Sequence, residues 1–596
     1  MNNKMFYRFV LFSVFNFGFL IFSAFSHSFS PETYEEGYRV RRDSLIRYYA
    51  SAKHVWLDEV AAKLATGANV DSALAHFSRL MDNPRGDMFW MYPFIGAYLY
   101  GQGRIPDSLK RKARGVWRTY TPYRGDTENH WVMYYSSLYL ATQTWPGEDG
   151  SRWYNGKSSE ENFRDSEGWL NHWVKITTTI GQGEFDSPGY GAVYLVSMFL
   201  LYEFAIDPIM KQKAGMMIDY LLADFAVEYL KGNFCGAHSR DYPEAVVTPT
   251  SSAMTAFGWL FFGDAPFIPR TETLIAAMSS YRLPEIIYRI ATDRSQPYVH
   301  TETKRVRNKL RHDTRRNPPV YKYAYMTQDY CLGSLDGGIM QPIQQHTWDV
   351  TWVSKKTHNT LFTIHPYYSG VELAHFFPEE TKLMVDAVVS SKGTYDKEDK
   401  WTGSSPYEQT FQHKNAIIVL YNIERGTHFE HIDGFFTKDF AERIVDQTNW
   451  IFCRDGDVYI AYFPLKPYEW IQDSINYRIR SRDLKNGCIV EVSSAREVGS
   501  FEEFRKRIKG TKIDYKDFDN KLTLRHTTIS GDKMEFTYGG KRILNGKAVD
   551  FHSYKLFKGP YLQADIGSEK LKMTYGDQYR ILNFKSVTIE TNANTQ

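Results

Sequence analysis

The hydrophobic period of this chain changes near residue 300, and that change limits the folds open to it. From about residue 35 to 292, large apolar residues recur at i, i+3, i+4 and i+7, the spacing of one helix face. Candidate helices cover roughly 42–66, 72–82, 87–101, 106–119, 128–145, 160–180, 188–205, 208–230, 249–262 and 271–292. Breakers separate them: Asn83-Pro84-Arg85-Gly86, Gly101-Gln102-Gly103, Pro146-Gly147, Asp207-Pro208 and Pro249. Short connections make successive helices antiparallel neighbours. Helices starting near 87, 128, 188 and 249 are each followed by a partner, with no repeat of fixed period. That pattern fits hairpins set around an axis, a toroid whose inner-helix N-termini gather at one end.

Beyond about residue 320 the runs become short and β-type: Ala416–Tyr421, Asp457–Phe463, Cys488–Val492 and the alternating Leu522–His526. Gly531-Asp532, Gly539-Gly540 and Asn545-Gly546 are turn signals. Many short strands with few helices predict stacked antiparallel sheets. The expected architecture is multidomain α+β. A helical domain spans 31–300, a basic linker 301–319, a large antiparallel β-sandwich 320–500 and a C-terminal β domain 501–596. The linker reading rests on Lys304, Arg305, Arg307, Lys309, Arg311, Arg315, Arg316 and Pro318-Pro319. Such a run is usually solvated, and it could also hold a polyanion.

Residues 1–30 read as a secretory signal: Lys4 and Arg8, an apolar stretch from Phe9 to Phe25, and an Ala24-Phe25-Ser26 exit. The implied location is secreted or periplasmic, with no stable membrane insertion after cleavage; an uncleaved anchor is the alternative. Cys235, Cys331, Cys453 and Cys488 show no metal-ligand spacing and are expected as buried thiols, with a single bridge as the alternative. A net charge of +3 gives no case for nucleic acid. Aromatics make up 16% of residues, more than a core requires, which suits a cleft with flat apolar faces or an aromatic-rich β domain.

Three stretches could carry chemistry. In Thr127-Glu128-Asn129-His130-Trp131, Asp126 or Thr127 is a good N-cap, so Asn129 and His130 fall in the first helical turn, where the dipole favours an anion. In Gly183-Glu184-Phe185-Asp186-Ser187-Pro188-Gly189-Tyr190, Ser187 is a natural cap, Pro188 suits the first helical position, and Tyr190 lands at the helix mouth. The stretch Cys235–Tyr242 places His238, Arg240 and Tyr242 on alternate positions of an extended loop, hence on one side. Each has a structural reading too: a capped polar pair, an aromatic plug, and an arginine paired with a local carboxylate such as Asp241 or Glu244. Jointly, Asn, His, Tyr and Arg recur at the mouths of successive inner helices, which a toroid sets around one rim.

That quartet suits β-elimination from a uronic acid. The C5 proton is poorly acidic, so the neighbouring carboxylate must be neutralised or hydrogen-bonded, a base must reach C5, and an acid must protonate the departing O4. Asn and Arg serve the first need without titrating. A Tyr whose pKa a cation lowers can serve as base and then acid, and His can assist.

Glu128-Asn129-His130, the Tyr190 helix and the helical-then-β layout resemble polysaccharide lyases with an incomplete (α/α) toroid followed by antiparallel β-sheets, the chondroitin AC, hyaluronate, alginate and heparinase II/III types. The resemblance implies that Asn129 neutralises the carboxylate, Tyr190 is base and acid, and His130 and Arg240 assist. It implies an acidic polysaccharide as partner and no cofactor for catalysis; a structural divalent metal stays open. Glu128, Trp90, Tyr134, His238, Tyr242, His346 and Trp348 are expected to line the cleft, with Gln345–Trp348 and His413-Lys414-Asn415 as β-domain candidates. Two other classes compete. A glycoside hydrolase would need two carboxylates across the bond, for which Glu128, Glu184, Asp186 and Asp241 lie near the same rim. A non-catalytic glycan-binding protein would need only the aromatics and the basic run.

Overall fold

The computed structural model describes residues 34–84, 86–306, 317–339, 344–376, 382–391 and 395–592. The expected signal segment and residues 307–316 of the basic run lie outside these. The helical part comprises α1 (Tyr34–Ser51), α2 (Leu57–Thr66), α3 (Val70–Asp82), α4 (Met88–Gly101), α5 (Asp107–Thr119), α6 (Glu128–Thr144) and α7 (Ser159–Ile180). It continues through α8 (Gly191–Phe204), α9 (Pro208–Val227), α10 (Pro243–Val247), α11 (Ala253–Phe261), α12 (Thr271–Met278) and α13 (Glu285–Thr292). Local chemistry sets the ends. Thr127 caps α6, Ser158 and Glu161 form a capping box on α7, and Asp207 with Pro208 starts α9. Two expected helices are each split in two. Pro284 stops a single helix over 271–292, because the residue before proline is pushed out of the helical region, and residues 52–56 interrupt the other.

The inner helices pack in sequence, α2 on α4, α4 on α6 and α6 on α8, and α12 touches both α8 and α2. Outer helices α7 and α9 lie against α6 and α8. Accordingly α4 and α8 are apolar and buried nearly all round, whereas α5 buries only one stripe, Ala113, Val116 and Trp117 among it.

An N-terminal helical region followed by antiparallel sheets is thus the architecture. Among the described residues the largest sheet has 13 strands. Its order is Glu469–Gln472, Asn476–Ser481, Ile432–Thr437, Thr360–Ile364, Trp348–Trp352, Tyr330–Gly337, Pro319–Met326, Tyr298–Arg305, Phe557–Lys558, Leu562–Ala564, Lys570–Tyr575, Gln578–Asn583 and Thr588–Thr591. A 6-stranded sheet packs on it through Leu332, Val350, Trp352, Ile417, Val419 and Val490. A 5-stranded sheet and the helix Phe501–Lys509 cover the far side of the 6-stranded sheet through Phe504, Leu524 and Phe536.

Two segments run differently from the expected division. Residues 298–305 and 319–326 are paired strands, so the basic run starts inside a sheet; Lys304 and Arg305 are buried. Residues 501–596 do not form one unit. Phe557 pairs with Glu302, and Phe557, Leu562, Leu571, Met573 and Leu582 join the core of the helices. All four cysteines are buried thiols.

Candidate active site

The site grows from the first turn of α6 and two loops. Thr127 accepts from the His130 N–H, and Asn129 follows Glu128 into the turn. Neither Asn129 nor Glu128 faces open solvent; both are buried. The Asn129 N–H and Nδ2 donate to Glu184 Oε2 at 2.7 and 2.6 Å, and Nδ2 also donates to Thr127 Oγ1 at 3.0 Å. Among the described residues Asn129 Oδ1 has no hydrogen-bond partner. The amide therefore points its donors inward, and this corrects the expectation that Asn129 donates to a substrate carboxylate.

Glu184 is the centre of this arrangement. Its Oε2 also accepts from Tyr194 Oη at 2.9 Å, and its Oε1 accepts from Arg240 Nη1 at 2.9 Å. Glu128 lies next to it, accepting from the Glu184 N–H at 2.7 Å and pairing with Arg305. Gly183 must be glycine, since a Cβ there would stand 2.6 Å from Arg305 Nη1 and 2.7 Å from Glu128 Oε2. Arg240 thus does pair with a carboxylate, but with distant Glu184 rather than its neighbours Asp241 or Glu244.

The loops carrying Tyr190 and Arg240 are fastened together. Ser239 N–H and Oγ donate to Phe185 O at 3.1 and 2.6 Å. Ser187 Oγ donates to Arg240 O at 3.1 Å and accepts from Tyr190 N–H at 3.0 Å. Asp186 and Arg240 hold φ of 46° and 49°, a left-handed conformation that non-glycine residues keep only when their surroundings enforce it. For Asp186 that enforcement is a buried ionic cluster. Lys304 meets Asp186 and Glu302 at 3.1 Å each and pairs with Asp224; Lys322 meets Glu228 and Glu302 at 2.8 Å and pairs with Asp186. Asp186, Glu228 and Glu302 converge as metal ligands would, but the two ammonium groups sit among them. Burial pushes Glu228 up to about 8. Burial also works against Glu302, but Lys304 and Lys322 outweigh it and hold that carboxyl well below its usual range.

Tyr190 is half-buried and immediately precedes α8. The Arg240 guanidinium lies 4.6 Å from its ring centroid, and its hydroxyl is 2.5 Å from that of Tyr242. Burial raises the Tyr190 pKa, against the pull of Arg240. The cation acts in the expected direction, but desolvation is the stronger effect. His130 is half-buried, with its ring edge-on to Phe89 at 5.7 Å.

The other expected cleft residues divide. Tyr242 is half-buried at the rim. His238 and His346 are buried and exchange backbone hydrogen bonds of 3.1 and 2.8 Å, stitching the Arg240 loop to the sheet. Trp90, Tyr134 and Trp348 are core residues. Trp90 stacks on Phe94 at 4.5 Å, Tyr134 bonds the Tyr154 hydroxyl, and Trp348 Nε1 donates to Thr363 at 3.1 Å. Their side chains lack the exposure a substrate contact needs, because the sequence pattern marks aromatic positions without telling a cleft wall from a core. His413 lies away from the rim, on Asp532 of the 5-stranded sheet at 3.2 Å. Sequence reasoning missed Arg305, which it placed in a linker, and Tyr395, whose hydroxyl accepts from Gln344 at 3.4 Å and which interacts electrostatically with Tyr242 and Arg240. No motif surrounds Tyr395. Glu184 was visible in its motif, but only as a rim carboxylate.

Each carboxylate once considered for hydrolysis is buried and engaged: Glu128 by Arg305, Glu184 by Arg240, Asp186 by two lysines, and Asp241 by the Tyr242 N–H at 2.8 Å. The half-buried residues of the set are Tyr190, Tyr242 and His130, with the buried Arg240 behind Tyr190.

No protein-family model matches this chain, and neither does any curated protein sequence. Among solved structures, it is similar to the heparan sulfate lyase HepC from Pedobacter heparinus, with a TM-score of 0.34 and 11% identity over 89% of this chain and 85% of that one.

Proposed function

We propose that this chain is a polysaccharide lyase that cleaves an acidic, uronic-acid-containing polysaccharide by β-elimination, leaving 4,5-unsaturated ends. The observation that carries this reading is the Tyr190–Tyr242 hydroxyl pair beside Arg240, at a rim where Glu128, Glu184, Asp186 and Asp241 are each buried and engaged. Elimination needs an acid–base group and a cation for the substrate carboxylate. Hydrolysis needs two carboxyl groups flanking the bond, whereas Glu128, Glu184, Asp186 and Asp241 are each held in buried contacts.

In this reading Arg240 acts from behind Tyr190, its guanidinium offsetting the charge at the uronate without touching it. Tyr190 removes the C5 proton, and His130 supports the substrate from the α6 mouth. Asn129 holds Glu184, and through it Arg240. Each step uses side chains alone. Among the described residues no helix is long and apolar enough to cross a membrane.

The test is incubation with a panel of acidic polysaccharides, following the ultraviolet absorbance of the new conjugated double bond. Tyr190→Phe keeps the ring over Arg240 and removes the hydroxyl, so it should lower the elimination rate by ~10²-fold or more while oligosaccharide still binds. New reducing ends without absorbance would make the protein a hydrolase. Full elimination by Tyr190→Phe would remove Tyr190 from the chemistry.

A further inference from the structure

We infer that Tyr242 is a second catalytic residue, the acid that protonates the departing O4, and that Tyr190 and Tyr242 work as one couple sharing a proton. This rests on the β-elimination reading. The two hydroxyls reach each other from different parts of the fold. Tyr190 is set by the Ser187 turn and α8. Tyr242 heads α10, whose Val246 and Val247 plug into Phe362, Ile364 and Phe435 of the large sheet. The Tyr242 ring also lies over Gly189, where a Cβ would meet it at 3.7 Å. Both partners are therefore held from below, and the 2.5 Å contact between their oxygens is a property of the scaffold.

Two hydroxyls at that distance place one proton between them, with either oxygen able to donate. A guanidinium 4.6 Å from the Tyr190 ring pulls toward the state in which the pair has lost one proton, against the burial that opposes it. Such a pair is a base and an acid at once. The Tyr190 phenolate takes the C5 proton. The C4–O4 bond then breaks, its electron pair goes to O4, and O4 takes the proton of Tyr242. Tyr190 is left protonated and Tyr242 as phenolate, and one proton crossing the 2.5 Å bond restores the starting state. The proton that leaves C5 balances the one that reaches O4, and the negative charge stays beside Arg240 throughout. A single tyrosine would have to visit both C5 and O4; the pair removes that movement.

The experiment compares Tyr242→Phe, Tyr190→Phe and wild type on two substrates. One is the polysaccharide that wild type cleaves. The other is a methyl uronoside of the same sugar with a 4-nitrophenyl ether at O4, whose leaving group departs without a proton. Tyr242→Phe should lose ~100-fold or more in kcat on the polysaccharide with little change in KM. It should lose much less in the release of nitrophenolate than in polysaccharide cleavage, and in D₂O it should still exchange the C5 proton of unreacted sugar. Tyr190→Phe should lose both reactions and the exchange. Equal loss on both substrates in Tyr242→Phe, a rise in KM alone, or unchanged polysaccharide cleavage would each overturn the assignment. Release of nitrophenolate also shows that the variant is folded. If wild type forms no unsaturated product on either substrate, the elimination reading fails, and the assignment falls with it; failure confined to Tyr242→Phe leaves that reading intact.

Discussion

Glu184→Gln is the most informative single change, because every contact of that carboxylate is with a donor. Oε1 accepts from Arg240 Nη1, and Oε2 accepts from Asn129 N and Nδ2 and from Tyr194 Oη. Glutamine offers one acceptor oxygen and one NH₂. With the oxygen in the Oε2 position, three neutral bonds survive, but the NH₂ faces a buried guanidinium that has lost its counter-charge. With the amide reversed, Arg240 keeps an acceptor and Asn129 and Tyr194 face donors instead. A buried pair broken from one side costs about 3–5 kcal/mol, and a hydrogen bond to a charged group contributes about 1.5–3 kcal/mol. The first orientation is the less costly, so about 3 kcal/mol of destabilisation is expected. Turnover should fall as well, because Arg240 would leave its station beside Tyr190. Thermal unfolding followed by circular dichroism, together with the ultraviolet elimination assay, reads both effects. A variant that unfolds with wild-type stability and turns over at the wild-type rate would refute the central role of Glu184.

Gly183→Ala should destabilise by about 1–3 kcal/mol, because its Cβ would press on the buried ends of Glu128 and Arg305; a thermal midpoint equal to wild type would contradict this. Burial lifts Asp241 to about 7, so the stability tied to its protonated form is full below the unfolded value of about 3.9 and is lost as pH rises through about 7. Asp241→Asn keeps the acceptor for the Tyr242 N–H without the titration, so its unfolding midpoint should gain on wild type between about pH 4 and 7. A pH-independent difference would show that Asp241 does not titrate in that range.

The helical region was readable because its evidence is local. Asp207-Pro208 and Thr127 stand at helix starts and mark them. The toroid rim followed from the caps, and it does bring Asn129, Tyr190, Arg240 and Tyr242 into one network. What could not be read was long-range. Nothing near Phe557 says that it will pair with Glu302. Lys304 and Arg305 belong to a run whose composition is that of a solvated segment, yet both are buried by carboxylates from α6, α9 and the Tyr190 loop. The direction of the Asn129 amide depends on Glu184, 55 residues away, so the residue was legible and its orientation was not. Aromatic periodicity likewise gave Trp90 and Tyr134 as apolar face without saying that the face turns inward.

The buried charge around the rim has a directional consequence that apolar packing would lack. Hydrophobic burial is non-directional, so a loop held by it alone can settle in several nearby positions. Here Glu128–Arg305 joins α6 to the large sheet, Glu184–Arg240 joins the two rim loops, and the Glu184 N–H on Glu128 links the pairs. Asp186, one residue before the Ser187 turn, is held in a left-handed conformation between Lys304 and Lys322, both from adjacent strands. Such pairs add little net stability, but breaking one is costly, and the arrangement that satisfies all of them is narrow. Acid–base chemistry needs a heavy-atom separation of about 2.6–3.2 Å, which a loosely packed loop does not maintain. In the elimination reading the strand residues Arg305, Lys304 and Lys322 are positioning residues. None need touch a sugar: through Glu128 and Asp186 they fix where the Tyr190 hydroxyl meets that of Tyr242.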